Sequence, residues 1–427
     1  MPSASPPRPA SHPRPDSGPR PASHDRRRPG FGVLGAWAVG LDYVDEVVVG
    51  TTRDIHGAVS SRVHGLVDAG SGGLSRGVGV VHSGIAATVY GSLGRGARGA
   101  AAALRHADRR GLGAALDSTP RGRFVNSALH GIVGDRLVER HPEAALRMGL
   151  RLEGSDIDLD PGALAEAFPG ATGDLVVFLH GLSESEAYWN RRRAETGGNY
   201  GERLAGDLGF TPLFLRANTG LSIAENGVAL AGLLDDVVAA WPVSIRRIVL
   251  VGHSMGGLIM RSACAVSTAS EEPWNLLVSD LVTLGSPHLG APIAQGLHHG
   301  SRLLASVPEL SAIGRLLDHR STGIGDLRQP LPPDVENLPH ARYRLVAATL
   351  AASPRHPVSE TFGDLLVRYP SAVGRPRRGV TLFPDADELH VPGADHFDLL
   401  NHPDVYAALC RWLSEPLDTT STREAAG

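Results

Sequence analysis

The segment Gly252-His253-Ser254-Met255-Gly256 sets a serine between small residues, after the apolar run Arg247–Val251 and before the helical run Leu258–Val266. A serine hydroxyl is a weak nucleophile until a base takes its proton. A strand, a sharp turn and a helix start would lift Oγ above a sheet edge, at the positive end of a helix. The same five-residue pattern recurs as Gly73-Leu74-Ser75-Arg76-Gly77, with no strand before it. Ser75 is therefore read as a coincidence and Ser254 as the nucleophile.

Nucleophilic chemistry at a carbonyl needs donors for the developing oxyanion and a base with an orienting acid. The run Val176-Val177-Phe178-Leu179-His180-Gly181-Leu182 ends a strand in His-Gly. Its Leu182 amide and the amide of Met255, just after Ser254, are the expected oxyanion donors. The base is expected downstream of the serine with the acid between them in chain order. His396, in Gly393-Ala394-Asp395-His396-Phe397, precedes the final helix and fits; His390 is the rival, and His253 adjoins the nucleophile too closely. Asp364, in Phe362-Gly363-Asp364-Leu365-Leu366-Val367, is the expected acid. Asp385 and Asp387 are rivals, and Asp395 is too near His396 in sequence to orient it.

These residues need a scaffold that presents strand ends. From about residue 145 short β-branched runs alternate with helical ones, the pattern of a mostly parallel sheet with helices on both faces. The strand candidates are 175–179, 212–215, 247–251, 281–284, 343–347 and 380–383. Ser222 and Glu225 form a capping box at the start of a helix running to Trp241, and His402-Pro403 opens a last helix running to about Leu413. The expected organisation is a Pro/Arg-rich leader at 1–29, a Gly/Ala-rich helical region at 30–144, a catalytic domain at 145–416 and a loose tail at 417–427. Within the domain, 286–341 is an insertion too long for a plain crossover. Leu303, Leu304, Val307, Leu310, Ile313, Leu316 and Leu317 give it an apolar helical face, broken by Pro and Gly, so it is read as a lid.

The quoted motifs, together with Leu284-Gly285-Ser286-Pro287-His288-Leu289-Gly290-Ala291-Pro292, Asn218–Ile223 and His396–Leu400, resemble the lipase branch of the α/β-hydrolases that includes GPI inositol-deacylase-like proteins. Bacterial members are similar over most of the chain. The family pattern around the acid is usually Gly-Asp-Gly-Leu-Val, and Leu365 departs from it. The resemblance implies an α/β-hydrolase fold and an ester hydrolase with no cofactor. The expected reaction is hydrolysis of a carboxylic ester with an apolar acyl part, through a Ser-His-Asp triad and an acyl-enzyme. Acyl transfer or amide hydrolysis by the same triad, and a non-catalytic binding protein on the same fold, are the alternatives.

Composition narrows the remainder. All 41 basic residues are arginine, against 45 acidic ones, for a formal charge of −4. Lysine-based chemistry is thereby excluded, and so weak a charge gives no reason to expect nucleic acid as a partner. The expected partner is an ester or lipid-like small molecule. Cys264 and Cys410 lie in apolar helical patterns expected on opposite sheet faces, so both are expected as free thiols. Gly94-Arg95-Gly96-Ala97-Arg98-Gly99, with Asp117 downstream, matches a dinucleotide fingerprint but lacks a second βαβ strand. His298, His299, His319 and His340 have no ligand spacing, so no metal is expected. Arg26–Arg28 before Phe31–Leu41 resembles a twin-arginine export signal. Asp42 and Asp45 follow with no cleavage site, so the expected location is the cytoplasm. The stretch between Arg76 and Arg95, uncharged except for His82, would suit peripheral contact with a membrane.

Overall fold

The structure, a computed structural model, describes residues 32–43, 76–268, 270, 273–291, 321–376 and 378–416; for 43, 76–87 and 90 it describes the backbone alone. The leader, the tail, Ser75, His298, His299, His319 and the apolar positions 303–317 of the insertion lie outside the described residues.

Eight strands form one sheet in the order β2-β1-β4-β3-β5-β6-β7-β8. They are β1 (Gly149–Leu152), β2 (Ser155–Asp156), β3 (Asp174–Leu179), β4 (Thr211–Arg216), β5 (Arg247–His253), β6 (Val278–Leu284), β7 (Arg342–Thr349) and β8 (Asp387–Pro392). From β4 to β8 every pairing is parallel, and β1 runs antiparallel to both its neighbours. Side chains alternate across the sheet. Leu175, Val177, Leu179, Ile248 and Leu250 face one core, while Val176, Phe178, Val249 and Val251 face the other. Strands buried on both faces need near-continuous apolar sequence, and each fully buried Val, Leu or Ile contributes roughly 1.5–3 kcal/mol.

The capping box forms as its spacing requires. The Ser222 hydroxyl accepts from the Glu225 amide, and the helix runs Ile223–Ala240. The last helix is Pro403–Leu413, with His402 as its N-cap. Cys264 belongs to the first core and Cys410 packs on the second, so the sheet separates them and both are free.

One strand expectation fails. Residues 380–383 form no strand, and the edge strand is Asp387–Pro392 instead. Its sequence, Asp-Glu-Leu-His-Val-Pro, is half polar because an edge strand has a wet side. The β1–β2 hairpin at the opposite edge has no apolar run at all, and only the backbone pairing to β4 defines it.

Ahead of the sheet, the Val33–Tyr43 helix packs along the Arg76–Arg109 helix, where Arg105 pairs with Asp42. The glycine fingerprint at 94–99 lies inside that second helix, so it offers no loop for a phosphate. A third helix, Pro120–Arg140, lies against the loops after β3 and β4. A Cβ on Gly134 would meet Asn218 Oδ1 at 2.0 Å, and one on Gly220 would meet the His130 carbonyl at 2.2 Å. None of the helices among the described residues is long and apolar enough to cross a membrane.

Candidate active site

Ser254 follows β5 and stands at the N-cap of the Met255–Cys264 helix, with φ +52° and ψ −121°. A left-handed backbone at a non-glycine residue costs about 1–3 kcal/mol and persists only where surroundings enforce it. The enforcement is close packing. A Cβ on Gly252 would come within 2.4 Å of the Gly257 amide, and one on Gly256 within 2.4 Å of the Leu179 carbonyl. The Ser254 amide donates to the Leu284 carbonyl at 2.8 Å, which ties the turn to β6.

His396 opens a short 3₁₀ turn, His396–Leu399, after β8. Its Nδ1 is 2.7 Å from Asp364 Oδ2, and its backbone amide donates to the Asp364 carbonyl at 3.0 Å. Both side chains are buried. Asp364 Oδ1 accepts from the amides of Leu366 at 3.0 Å and Val367 at 2.8 Å, which fixes the carboxylate. With Nδ1 donating to Asp364, Nε2 is left as the basic nitrogen, the tautomer being assigned from these partners. Nε2 is buried and has no partner among the described residues. No hydrogen bond joins Ser254 to His396 here, as is common where a catalytic pair tightens only with substrate bound.

The rival residues have other employment. Asp387 pairs with Arg344 across to β7, and Asp385 lies exposed in the turn before β8. Asp395 caps the 3₁₀ turn, accepting from the Phe397 and Asp398 amides. His390, inside β8, bonds Thr349 Oγ1 at 2.8 Å. His340 bonds the Asn275 carbonyl at 3.1 Å.

The amides of Met255 and Leu182 have no acceptor among the described residues. Met255 starts the helix after Ser254, and Leu182, in the loop after β3, follows Gly181, where a Cβ would lie 2.9 Å from Ser254 Cβ. Neighbouring groups hold that loop. His180 Nδ1–H donates to the Gly181 carbonyl at 2.9 Å, and Nε2 accepts from the Ala217 amide at 3.1 Å. Burial pushes the His180 pKa down, in keeping with this neutral ring. Ser183, at φ +60°, donates its amide to Thr219 Oγ1 at 3.0 Å.

Sequence reasoning missed Glu184. Its carboxylate is buried, accepts from the Gly181 amide at 2.8 Å and stands 3.0 Å from His253 Nδ1. The only local signal is an acidic residue three positions after Gly181. The Pro120–Arg140 helix, part of the Gly/Ala-rich region, walls this loop. A Cβ on its Gly131 would meet Ser183 Oγ at 2.0 Å.

Residues 171–324 match the family described as "Putative serine esterase (DUF676)". No curated protein matches the chain. Among solved structures, the chain is similar to an esterase from Rhodococcus sp., with 16% identity over 58% of this chain and 93% of that one and a TM-score of 0.34. It is also similar to an esterase from Pyrococcus furiosus, with 13% identity over 57% and 84% and a TM-score of 0.34. A gene product of Listeria innocua has 14% identity over 57% and 94%, with a TM-score of 0.35. With its mostly parallel sheet, a serine at the sharp turn after β5 and this match across the elbow, the chain is an α/β-hydrolase of the esterase and lipase type, a serine hydrolase.

Proposed function

We propose that the chain hydrolyses carboxylic esters with Ser254 as nucleophile, His396 as general base and Asp364 as the orienting acid. The observation that carries this reading is the buried His396–Asp364 pair, which leaves Nε2 unpartnered at the end of the sheet where the strained Ser254 stands. His396 Nε2 takes the Ser254 proton as Oγ attacks the ester carbonyl. The amides of Met255 and Leu182 donate to the oxyanion, the alkoxide leaves with the proton from His396, and an acyl-Ser254 ester remains. Water, deprotonated by His396, then releases the acid and restores the serine.

An apolar acyl part is the favoured substrate feature. The Thr322–Asp326 helix packs on the elbow, since a Cβ on Gly323 would lie 3.1 Å from Met255 Cε. The Pro120–Arg140 helix covers the other side of the loop after β3. Elements that roof a cleft exclude water and favour apolar ligands.

A fluorophosphonate probe tests the nucleophile. Wild-type protein and Ser75→Ala should label, and Ser254→Ala should neither label nor hydrolyse nitrophenyl esters. Labelling that survives in Ser254→Ala removes the reading. A series of acyl lengths, with hydroxylamine and amide substrates alongside water and esters, separates hydrolysis from acyl transfer and amide cleavage.

A further inference from the structure

We propose that Glu184 and His253 form a positioning pair, locking the oxyanion loop to the main chain of His396; the inference rests on the triad reading above. The pair is buried beside the reacting residues, with Glu184 4% exposed and His253 0% exposed. A carboxylate so buried is tolerated only when paired and hydrogen-bonded. One oxygen, Oε2, meets both requirements, accepting from the Gly181 amide at 2.8 Å and facing His253 Nδ1 at 3.0 Å. The other ring nitrogen, Nε2, lies 3.2 Å from the backbone carbonyl of His396.

Nε2, whose partner here is a carbonyl oxygen with no N–H donor competing for it among the described residues, meets that oxygen only by carrying its proton, and Nδ1 facing a carboxylate does best as a donor too. His253 is therefore an imidazolium with both protons committed. Burial alone would lower its pKa, but the charge and hydrogen bond of Glu184 outweigh burial and hold it up. Burial likewise opposes ionisation of Glu184, and His253 with the Gly181 amide holds that carboxyl below its usual range. The pair is neutral as a unit and cannot serve as the base, because neither nitrogen of His253 has a lone pair to offer.

What the pair does follows from its ends. One end is the amide of Gly181, the residue before Leu182. The other is the main chain of His396, whose ring packs against the His253 ring at a tilt of 48°, 4.7 Å between centroids. His253 itself directly precedes Ser254. Gly181 is also pressed against the nucleophile, where a Cβ would lie 2.9 Å from Ser254 Cβ. One ion pair thus sets the distance between oxyanion donor, nucleophile and base, three groups on separate segments of chain.

The test measures kcat and KM per active site, counted by fluorophosphonate titration so that unfolded molecules drop out. In Glu184→Ala and in His253→Ala, kcat per titrated site should fall by about 100-fold, the cost of a misplacement near 1 Å, with KM within about threefold. The double variant should fall no further than either single one, because both cut the same chain. Glu184→Gln, which can still hold the Gly181 amide and the ring, should recover most of the loss. A merely structural pair would lower melting temperature and leave kcat per site within about threefold of wild type, which overturns the proposal. Multiplying losses in the double variant would overturn it as well. Should Glu184→Ala fail to fold, His253→Ala is read against the same outcomes. Labelling that persists in Ser254→Ala is a different failure, that of the triad reading, and it takes this proposal with it.

Discussion

Asp364 and His396 meet twice, side chain to side chain at 2.7 Å and carbonyl to amide at 3.0 Å. The second contact fixes the main chain beneath the first. The two segments are therefore held together at the backbone as well as at the side chains.

That arrangement makes Asp364→Asn a specific test. The amide would present either a donor or a neutral acceptor to Nδ1 and favour the wrong tautomer, so kcat should fall by about 10⁴-fold. Asp385→Asn and Asp387→Asn should stay within about threefold of wild type, because neither touches His396. Steady-state kinetics on a soluble ester reads all three. A large loss in either control, with Asp364→Asn mild, would move the acid elsewhere.

Leu365, next to Asp364, has φ +88° and is 55% exposed. An L-residue held there costs about 1–2 kcal/mol, while glycine's extra freedom when unfolded costs roughly 0.5–1 kcal/mol. Leu365→Gly should therefore stabilise the protein by up to about 1 kcal/mol and leave kcat unchanged. Urea denaturation measures the first and an ester assay the second. A destabilised glycine variant would mean that the Leu365 side chain holds the loop.

The Pro120–Arg140 helix approaches the loop after β3 too closely for a side chain at Gly131, where a Cβ would lie 2.9 Å from Ser183 Cα. Gly131→Ala should cost roughly 1–3 kcal/mol of stability by overpacking. It should also lower kcat, because Ser183 follows Leu182. Gly232→Ala is the control, since its Cβ meets nothing within 4 Å and it lies in the Ile223–Ala240 helix. The control should be neutral or stabilising by up to about 1 kcal/mol. Equal melting temperatures for wild type and Gly131→Ala would refute the close approach.

His130 should make folding acid-sensitive. Burial lowers its pKa from 6.5 to about 4. Its neutral ring donates Nδ1–H to the Asn126 carbonyl at 2.9 Å and accepts the Leu146 amide at Nε2 at 3.0 Å. Because the unfolded chain binds the proton more readily, stability is full above pH 6.5 and falls as pH drops toward 4. The loss approaches about 3 kcal/mol at about 1.4 kcal/mol per pH unit. His130→Gln should be less stable at pH 7 yet show a smaller drop between pH 7 and pH 4.5 in urea titrations. A drop as large as that of the wild type would remove His130 from the acid response.

The sequence by itself determined what neighbouring residues decide among themselves. The β5 strand, the glycine-flanked turn and the helix after Ser254 are consecutive, so their order is legible in sequence, although contacts to β3 and β6 hold the strained turn. The same holds for His180-Gly181 at the end of β3 and for the Ser222–Glu225 box. Edge strands were harder to read. β8 is half polar because half of it is wet, and the apolar run at 380–383 looked more like a strand than Asp387–Pro392 did.

Only the tertiary structure decided among groups far apart in the chain. Chain order left Asp364, Asp385 and Asp387 as rival acids. Which of them meets His396 depends on which loop closes on a residue 32 positions away. Glu184 and His253, 69 positions apart, carry no shared local signal, and a buried ion pair exists only once the fold has removed water from around it. The Pro120–Arg140 helix reads locally as part of a Gly/Ala-rich helical region. Its glycines matter because a separate loop packs against them, and packing of that kind is a property of the assembled core rather than of any window of sequence.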